Sequence, residues 1–280
     1  MEMRIAIPTD FSLPAEKAAL YTLELFRDMT CTFFLVHTYT PSFFRAEYLL
    51  HSPGQIGLGD FYQQRVLDTL EAFKARLKAK DSNPRHRFMI HAAFNSLDAE
   101  LHDMVGKEDL DLIAMGTQGA TGAKEVLLGT HATLVAHKAG VPVLIIPEQA
   151  RVAALEEVLF PADYKADYAR LPLQVLRTLL QQAGARLHIL HTYTPRDQTE
   201  AGRQGRQQLE EALKGVDVHW HEQEEDQLVS AINHFARQQP IQLLVLVRNP
   251  HTFLENLLVT PLIDQIGFHT RIPLLVLPPA

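Results

Sequence analysis

The pentapeptide His-Thr-Tyr-Thr-Pro occurs twice in the chain, at 37–41 and again at 191–195. Chance does not repeat five residues at this length, so the repeat constrains the fold before any single element is assigned. The likeness runs outward from it. Upstream, RIAIPTDF (4–11) matches EVLFPADY (157–164), which pairs Asp10 with Asp163. Downstream, 111–147 aligns without a gap with 242–278. The chain therefore divides near 148–155, which predicts one unit over 1–149 and a second over 150–280.

Within the first unit, short runs rich in Val, Ile, Leu and Phe predict strands at 4–9, 32–38, 87–93, 111–115 and 142–146. Helical patterns lie between them. Leu97, Leu101, Met104 and Val105 fall on one stripe, with Asn95 or Ser96 as the N-cap. A later helix is expected to begin at Thr130, a natural N-cap, and to end on a glycine cap at Gly140. Strands alternating with helices imply parallel pairing through right-handed crossovers. The fold class expected is α/β: two tandem open five-stranded parallel sheets, Rossmann-like, with helices on both faces. Each copy of the pentapeptide then marks the C-terminal end of a second strand. Ligands of such sheets sit beyond those ends, where strand order reverses. The repeat records either common descent alone or a pocket still lined in one copy.

Composition narrows the function. A hydrophobic share of 46% with 21% charged residues is that of a globular protein, and the apolar runs are strand-length. The start MEMRIAIPTDF has neither a basic leader nor a long apolar stretch, so a cytoplasmic protein with no membrane association is expected. A net charge of −7 argues against nucleic acid as a partner. The one cysteine, Cys31, excludes an internal disulfide and, with no basic neighbour in sequence, reads as inert.

The stretch MGTQGATGAKEVLLGTH (115–131) follows a strand and precedes a helix, where main-chain amides and the positive helix end favour an anion. Gly116 and Gly119 permit backbone angles closed to other residues and a close approach of phosphate. A P-loop is absent, because Lys124 does not directly follow Gly122 and Glu125 follows it; the dinucleotide Gly-x-Gly-x-x-Gly is absent too. What remains is Gly116-x2-Gly119-x9-Gly129-Thr130. With PTDFS at 8–12 and LVHTY at 35–39, this pattern resembles the universal stress protein family, over essentially the whole chain as a tandem pair.

That resemblance implies an adenine nucleotide, ATP or else AMP or ADP, with or without Mg2+, across the C-terminal edge of the first sheet. Asp10 and the backbone near Thr38 would meet adenine, and Gly116 the ribose. Gly119, Gly129, Thr130 and the His131 backbone would hold phosphates, with Pro8, Thr9 and Met115 lining the same site. Lys124 either contacts a terminal phosphate or is a solvated loop lysine. Asn95 stands where the family commonly has glycine, and asparagine tolerates the left-handed region. Family members pair through their last strands, so 141–147 and 271–278 would form an internal pseudo-dimer; pairing of whole chains is left open.

The gap-free alignment tests the second unit residue by residue. Gly116, Gly119, Gly129 and Thr130 become Val247, Pro250, Thr260 and Pro261, and Lys124 becomes Glu255. Prolines remove two N–H donors, so one nucleotide site per chain is expected, in the first unit. That unit also carries 23 extra residues between Pro41 and Gly116, largely 42–64, which could form a lid, a surface packing or an oligomer contact.

Other residues have competing readings. Asp10 could be a magnesium ligand, a general base or a cap for the next helix. His131 reads as surface packing rather than catalysis, and His37 and His191 as satisfying local hydrogen bonds. His219 and His221 share one face of a strand, as two metal ligands could, but Glu222 and Glu224 point the other way and no third ligand is evident. The function expected is an ATP-binding stress sensor or regulator, at most a slow ATPase with no assigned catalytic residue. The alternative is a non-binding scaffold whose glycine loop is a relic. An adenylating enzyme is disfavoured because PTDFSLP replaces its serine-glycine-rich first loop.

Overall fold

The computed structural model describes residues 2–39, 58–117, 129–193, 200–224, 228–248 and 271–279. In chain order these form β1 (Glu2–Pro8), α1 (Leu13–Leu25), β2 (Thr30–Thr38), α2 (Leu58–Lys80), β3 (His86–Ala93), α3 (Leu97–Lys107), β4 (Leu112–Gly116), α4 (Thr130–Lys138) and β5 (Val143–Ile146). The second unit follows with β6 (Glu157–Pro161), α5 (Gln174–Ala183), β7 (Arg186–Tyr193), α6 (Glu200–Ala212), β8 (Asp217–Glu224), α7 (Leu228–Gln238), β9 (Leu243–Val247) and β10 (Leu274–Leu277).

All ten strands join one sheet in the order β3-β2-β1-β4-β5-β10-β9-β6-β7-β8. Each run of five is parallel, and the two meet where β5 and β10 pair antiparallel, with Leu275 opposite Leu144. The expected pseudo-dimer through the last strands is thus a continuous sheet. The inner strands are buried on both sides because helices cover both, while the outermost, β3 and β8, are partly exposed. On one face, residues from α1, α2, α5 and α6, such as Leu23, Phe73, Leu176 and Leu209, pack on Phe33 and Phe160. On the other, Met104 of α3, Val135 of α4 and Phe235 of α7 pack on Ile113 and Leu244. Both apolar layers run across the β5–β10 seam.

Helix ends depart from expectation in instructive ways. Gly129, not Thr130, is the N-cap of α4, and Thr130 is its first helical residue. Gly140 does not cap this helix. The chain leaves it at Ala139 in an extended conformation (φ −63°, ψ 134°), because it must re-enter the sheet at Val143. Gly184 does end α5 in the left-handed region, at φ 64°. Ser96 is the N-cap of α3, as expected, while Asn95 keeps out of the left-handed region. Instead its side chain accepts from Ser96 N–H at 2.8 Å and donates to Glu100 at 3.0 Å. Of the 42–64 insertion, 42–57 lie outside the described residues, and Leu58 onward belongs to α2.

Candidate functional site

Three strands bring most of the predicted residues to one edge. β1 pairs with β2 as far as Pro8 and Val36, and Thr9 N–H still donates to Val36 O at 2.8 Å. On its other side β1 pairs with β4 only through Ile5–Leu112 and Ala6–Ile113. Beyond that point the two strands part, because β4 follows β5 up to Gly116–Ile146. A crevice therefore opens between Pro8–Thr9–Asp10 on one side and Met115–Gly116 on the other, at the point where strand order reverses. Thr38 ends β2 next to it.

The far wall is the start of α4. Thr117 N–H donates to Ile146 O at 3.1 Å, and Gly129 N–H donates to Thr117 O at 2.6 Å. This last bond closes the base of the glycine loop and sets the α4 N-terminus, with Thr130 and His131 exposed, over the crevice. The first turn of α4 has no acidic residue and its last turn holds His137 and Lys138, so no carboxylate of the helix would compete for an anion at its N-terminus. Gly116 lies in ordinary strand backbone and Gly129 at φ −61°. Neither uses an angle reserved for glycine. Gly119 and Lys124 lie outside the described residues.

Asp10 is exposed, and one of its carboxylate oxygens accepts from Ser12 N–H at 3.0 Å, a side-chain turn that leads into α1, whose N-cap is Ser12. Between them Phe11 sits at φ 65°, a costly conformation for an aromatic residue. It places the ring on His37 at a centroid distance of 4.6 Å and edge-on to Phe73 at 6.0 Å. His37 Nδ1 donates to Thr9 O at 2.7 Å. The second unit repeats each part: Tyr164 at φ 57°, its ring on His191 at 4.1 Å, His191 Nδ1 to Ala162 O at 2.8 Å, and Lys165 N–H to Asp163 at 2.9 Å. The repeated histidine is thus a staple between two strand ends, as its local hydrogen-bonding reading expects.

The copies differ at the acid. In the second unit the Tyr168 hydroxyl, with the side chain buried, accepts from Tyr164 N–H at 3.2 Å and donates to Asp163 at 3.3 Å. Burial, reinforced by Asp163, pushes the Tyr168 hydroxyl pKa well up, so it remains a donor. In the first unit the Thr9 hydroxyl takes the equivalent amide, from Phe11, at 3.0 Å. α6 also presses on the second loop. A Cβ at Gly205 would lie 2.1 Å from Tyr164 O, so only glycine fits there. At the strand wall, Val247 fills the place of Gly116 and is buried. Arg248, in the place of Thr117, donates instead to Ala136 O of α4 at 3.2 Å, across the seam. Pro250, Glu255, Thr260 and Pro261 lie outside the described residues.

Sequence reading missed Tyr168 and Gly205, which have no partner in the repeat. It also missed the half-exposed Phe94, whose ring lies 6.0 Å from Tyr39 beside the end of β2. Cys31 is fully buried, and burial, with Glu2 and Asp111 nearby, raises its thiol pKa to about 12, in keeping with an inert residue. Elsewhere, a cavity of about 760 Å³ at the seam is bordered by Lys17, Glu148, Arg151, Gln242 and Arg271 and contains none of the predicted site residues. No helix among the described residues is long and apolar enough to cross a membrane.

Comparison with solved structures supports this architecture. The chain is similar to a universal stress protein from Archaeoglobus fulgidus, with a TM-score of 0.63 and 19% identity over 99% of this chain and 96% of that one. A Pseudomonas aeruginosa protein of unknown function matches at 0.58 and 15%, over 99% and 92%. The cytoplasmic domain of a prokaryotic cation chloride cotransporter matches at 0.59 and 12%, over 99% and 95%. At these identities the likeness is one of fold. Among curated proteins none matches the chain. The sequence model of the universal stress protein family matches residues 1–147, more than half of the 280, and the chain belongs to that family.

Proposed function

We propose that the unit at 1–149 binds one adenine nucleotide, ATP or its di- or monophosphate, in the crevice between β1 and β4. The unit at 150–280 is then a degenerate copy that binds none. The observation that carries this reading is the early parting of β1 and β4, walled by glycine in the first unit and by valine in the second. Asp10, exposed at the lip, accepts the adenine amino group, and the backbone at Thr38 pairs with the ring edge. Gly116 leaves room for the ribose. The amides of Gly129, Thr130 and His131 take phosphate at the α4 N-terminus, with Gly119 and Lys124 joining from the same loop. Mg2+, where bound, would neutralise phosphate charge.

The second unit supports the asymmetry. Arg248, in the place of Thr117, is turned toward α4. A nucleotide-occupied first unit tied rigidly to a second one suits a stress-response sensor or regulator, with turnover slow at most.

Titration of the purified chain with ATP, followed by calorimetry, tests this. One nucleotide per chain is expected. Asp10→Ala should weaken it by about tenfold, the loss of one hydrogen bond to a charged group, while Asp163→Ala leaves affinity unchanged. Two sites, or none, would overturn the proposal.

A further inference from the structure

The repeat also exposes a place where the second unit has gained chemistry. In the first unit, Arg4 of β1 lies over the Phe34 ring at 4.9 Å, and Met89 beside Phe34 on β3 is 54% exposed. Further along β3, His91 Nε2 meets Glu100 of α3 at 2.7 Å. The equivalent positions in the second unit hold Glu157 on β6, His188 on β7, and His219 and His221 on β8. Ala231 stands where Glu100 did, so His221 has lost its carboxylate. It has found a histidine instead. His188 Nδ1 and His221 Nε2 are 2.9 Å apart, and His188 Nε2 lies 2.6 Å from Glu157 Oε2.

The side chain of Glu157 is 5% exposed and that of His188 6%. Accepting the Nε2–H of His188, the carboxylate fixes the tautomer in which Nδ1 carries a lone pair directed at β8, as carboxylates behind metal-binding histidines do. Ring centres lie 5.1 Å apart for His188–His221 and 5.5 Å for His188–His219. Tetrahedral coordination with Zn–N distances near 2.0–2.1 Å puts ligand nitrogens about 3.4 Å and imidazole centres about 5 Å apart. The His188–His221 pair therefore needs to open by only about half an ångström. Phe235 of α7, 5.2 Å and 4.8 Å from the His188 and His221 rings, walls one side. β8 is the last strand of the sheet among the described residues, and the His219 side chain on it is 44% exposed.

We propose that His188, His219 and His221 form a three-histidine site for a zinc-type divalent ion, oriented by Glu157 and with its fourth position open to solvent. The ion takes the place of the proton shared by His188 and His221. As the side chains stand, no three His, Cys, Asp or Glu groups among the described residues are set around one point. His219 Nε2 lies 3.2 Å from Asp217, and its side chain is 44% exposed, so it is free to turn inward as the ion arrives. The third ligand that β8 alone does not offer comes from β7.

Zinc titrated into the full chain after chelator treatment, without nucleotide, provides the test. Calorimetry and metal analysis should give one high-affinity ion per chain, and cobalt in its place should show the strong visible absorption of tetrahedral coordination. His221→Ala and His219→Ala should each weaken binding by tenfold or more, and Glu157→Gln by about 10–100-fold. His91→Ala, the matching residue of the first unit, should change nothing. If His188→Ala or Glu157→Gln fails to fold, the exposed His219 decides. Zinc affinity that is undetectable, or unaltered in a His219→Ala/His221→Ala double variant, overturns the site.

Discussion

Phe11 and Tyr164 share a conformation that costs an L-residue about 1–2 kcal/mol, at equivalent places in both units. Each is held by an aspartate turn beneath it and a histidine ring against it. The strain aims the ring inward and leaves the preceding acid at the mouth of the crevice. Replacing Phe11 therefore has an unusual expected order. Phe11→Gly should retain about 1 kcal/mol more stability than Phe11→Ala in urea unfolding, the reverse of the order at an ordinary strand position. Equal stabilities would mean that the left-handed angle is not what limits this residue. The sequence showed Pro-x-Asp-aromatic twice, but not that the aromatic residue takes an angle usually left to glycine. Nothing in residue type announces it.

Elements are joined across the first unit by one acidic side chain. Glu16, in the first turn of α1, accepts from Lys80 of α2 at 2.6 Å and from Arg76 at 3.4 Å. The Lys80 hydrogen bond, with Arg76 adding to it, outweighs burial and holds the Glu16 carboxyl below its usual pKa. A lowered carboxyl means the unfolded chain binds its proton first on acidification. The stabilisation is thus complete above the unfolded-state value near 4.5 and is lost as pH falls through the folded one. Glu16→Gln should flatten that part of the acid limb in a stability-versus-pH series and leave the neutral region little changed, since the cations are half exposed. An unaltered acid limb would show that α1 and α2 are held by packing alone. Element order was legible from the alternation of apolar runs, and all five strands of the first unit fall within two residues of expectation. The caps of α4 were not, because Gly129 and Ala139 begin and end that helix according to where the sheet requires the chain next.

At the scale of the molecule the seam decides behaviour. Pairing of β5 with β10 merges two sheets, and both apolar layers cross the junction. Arg248 to Ala136 adds a polar tie across it. The two units should therefore unfold in one cooperative calorimetric transition. Leu275 is fully buried opposite Leu144. Leu275→Asp places an unpaired charge in that core at a cost of several kcal/mol, and it should lower the melting temperature of both units together. Two separate transitions in the unaltered chain would contradict a shared core.

The amino-acid sequence by itself determined the duplication, the strand–helix alternation and the loss of glycines in the second copy. These are properties of local pattern: a period, a residue type, a spacing. Only the tertiary structure decided that Tyr168 engages Asp163, that Gly205 must be glycine, and that His188 faces the β8 histidines from the neighbouring strand. The last two of these join residues tens of positions apart, and which strand lies beside which is set by packing over the whole sheet.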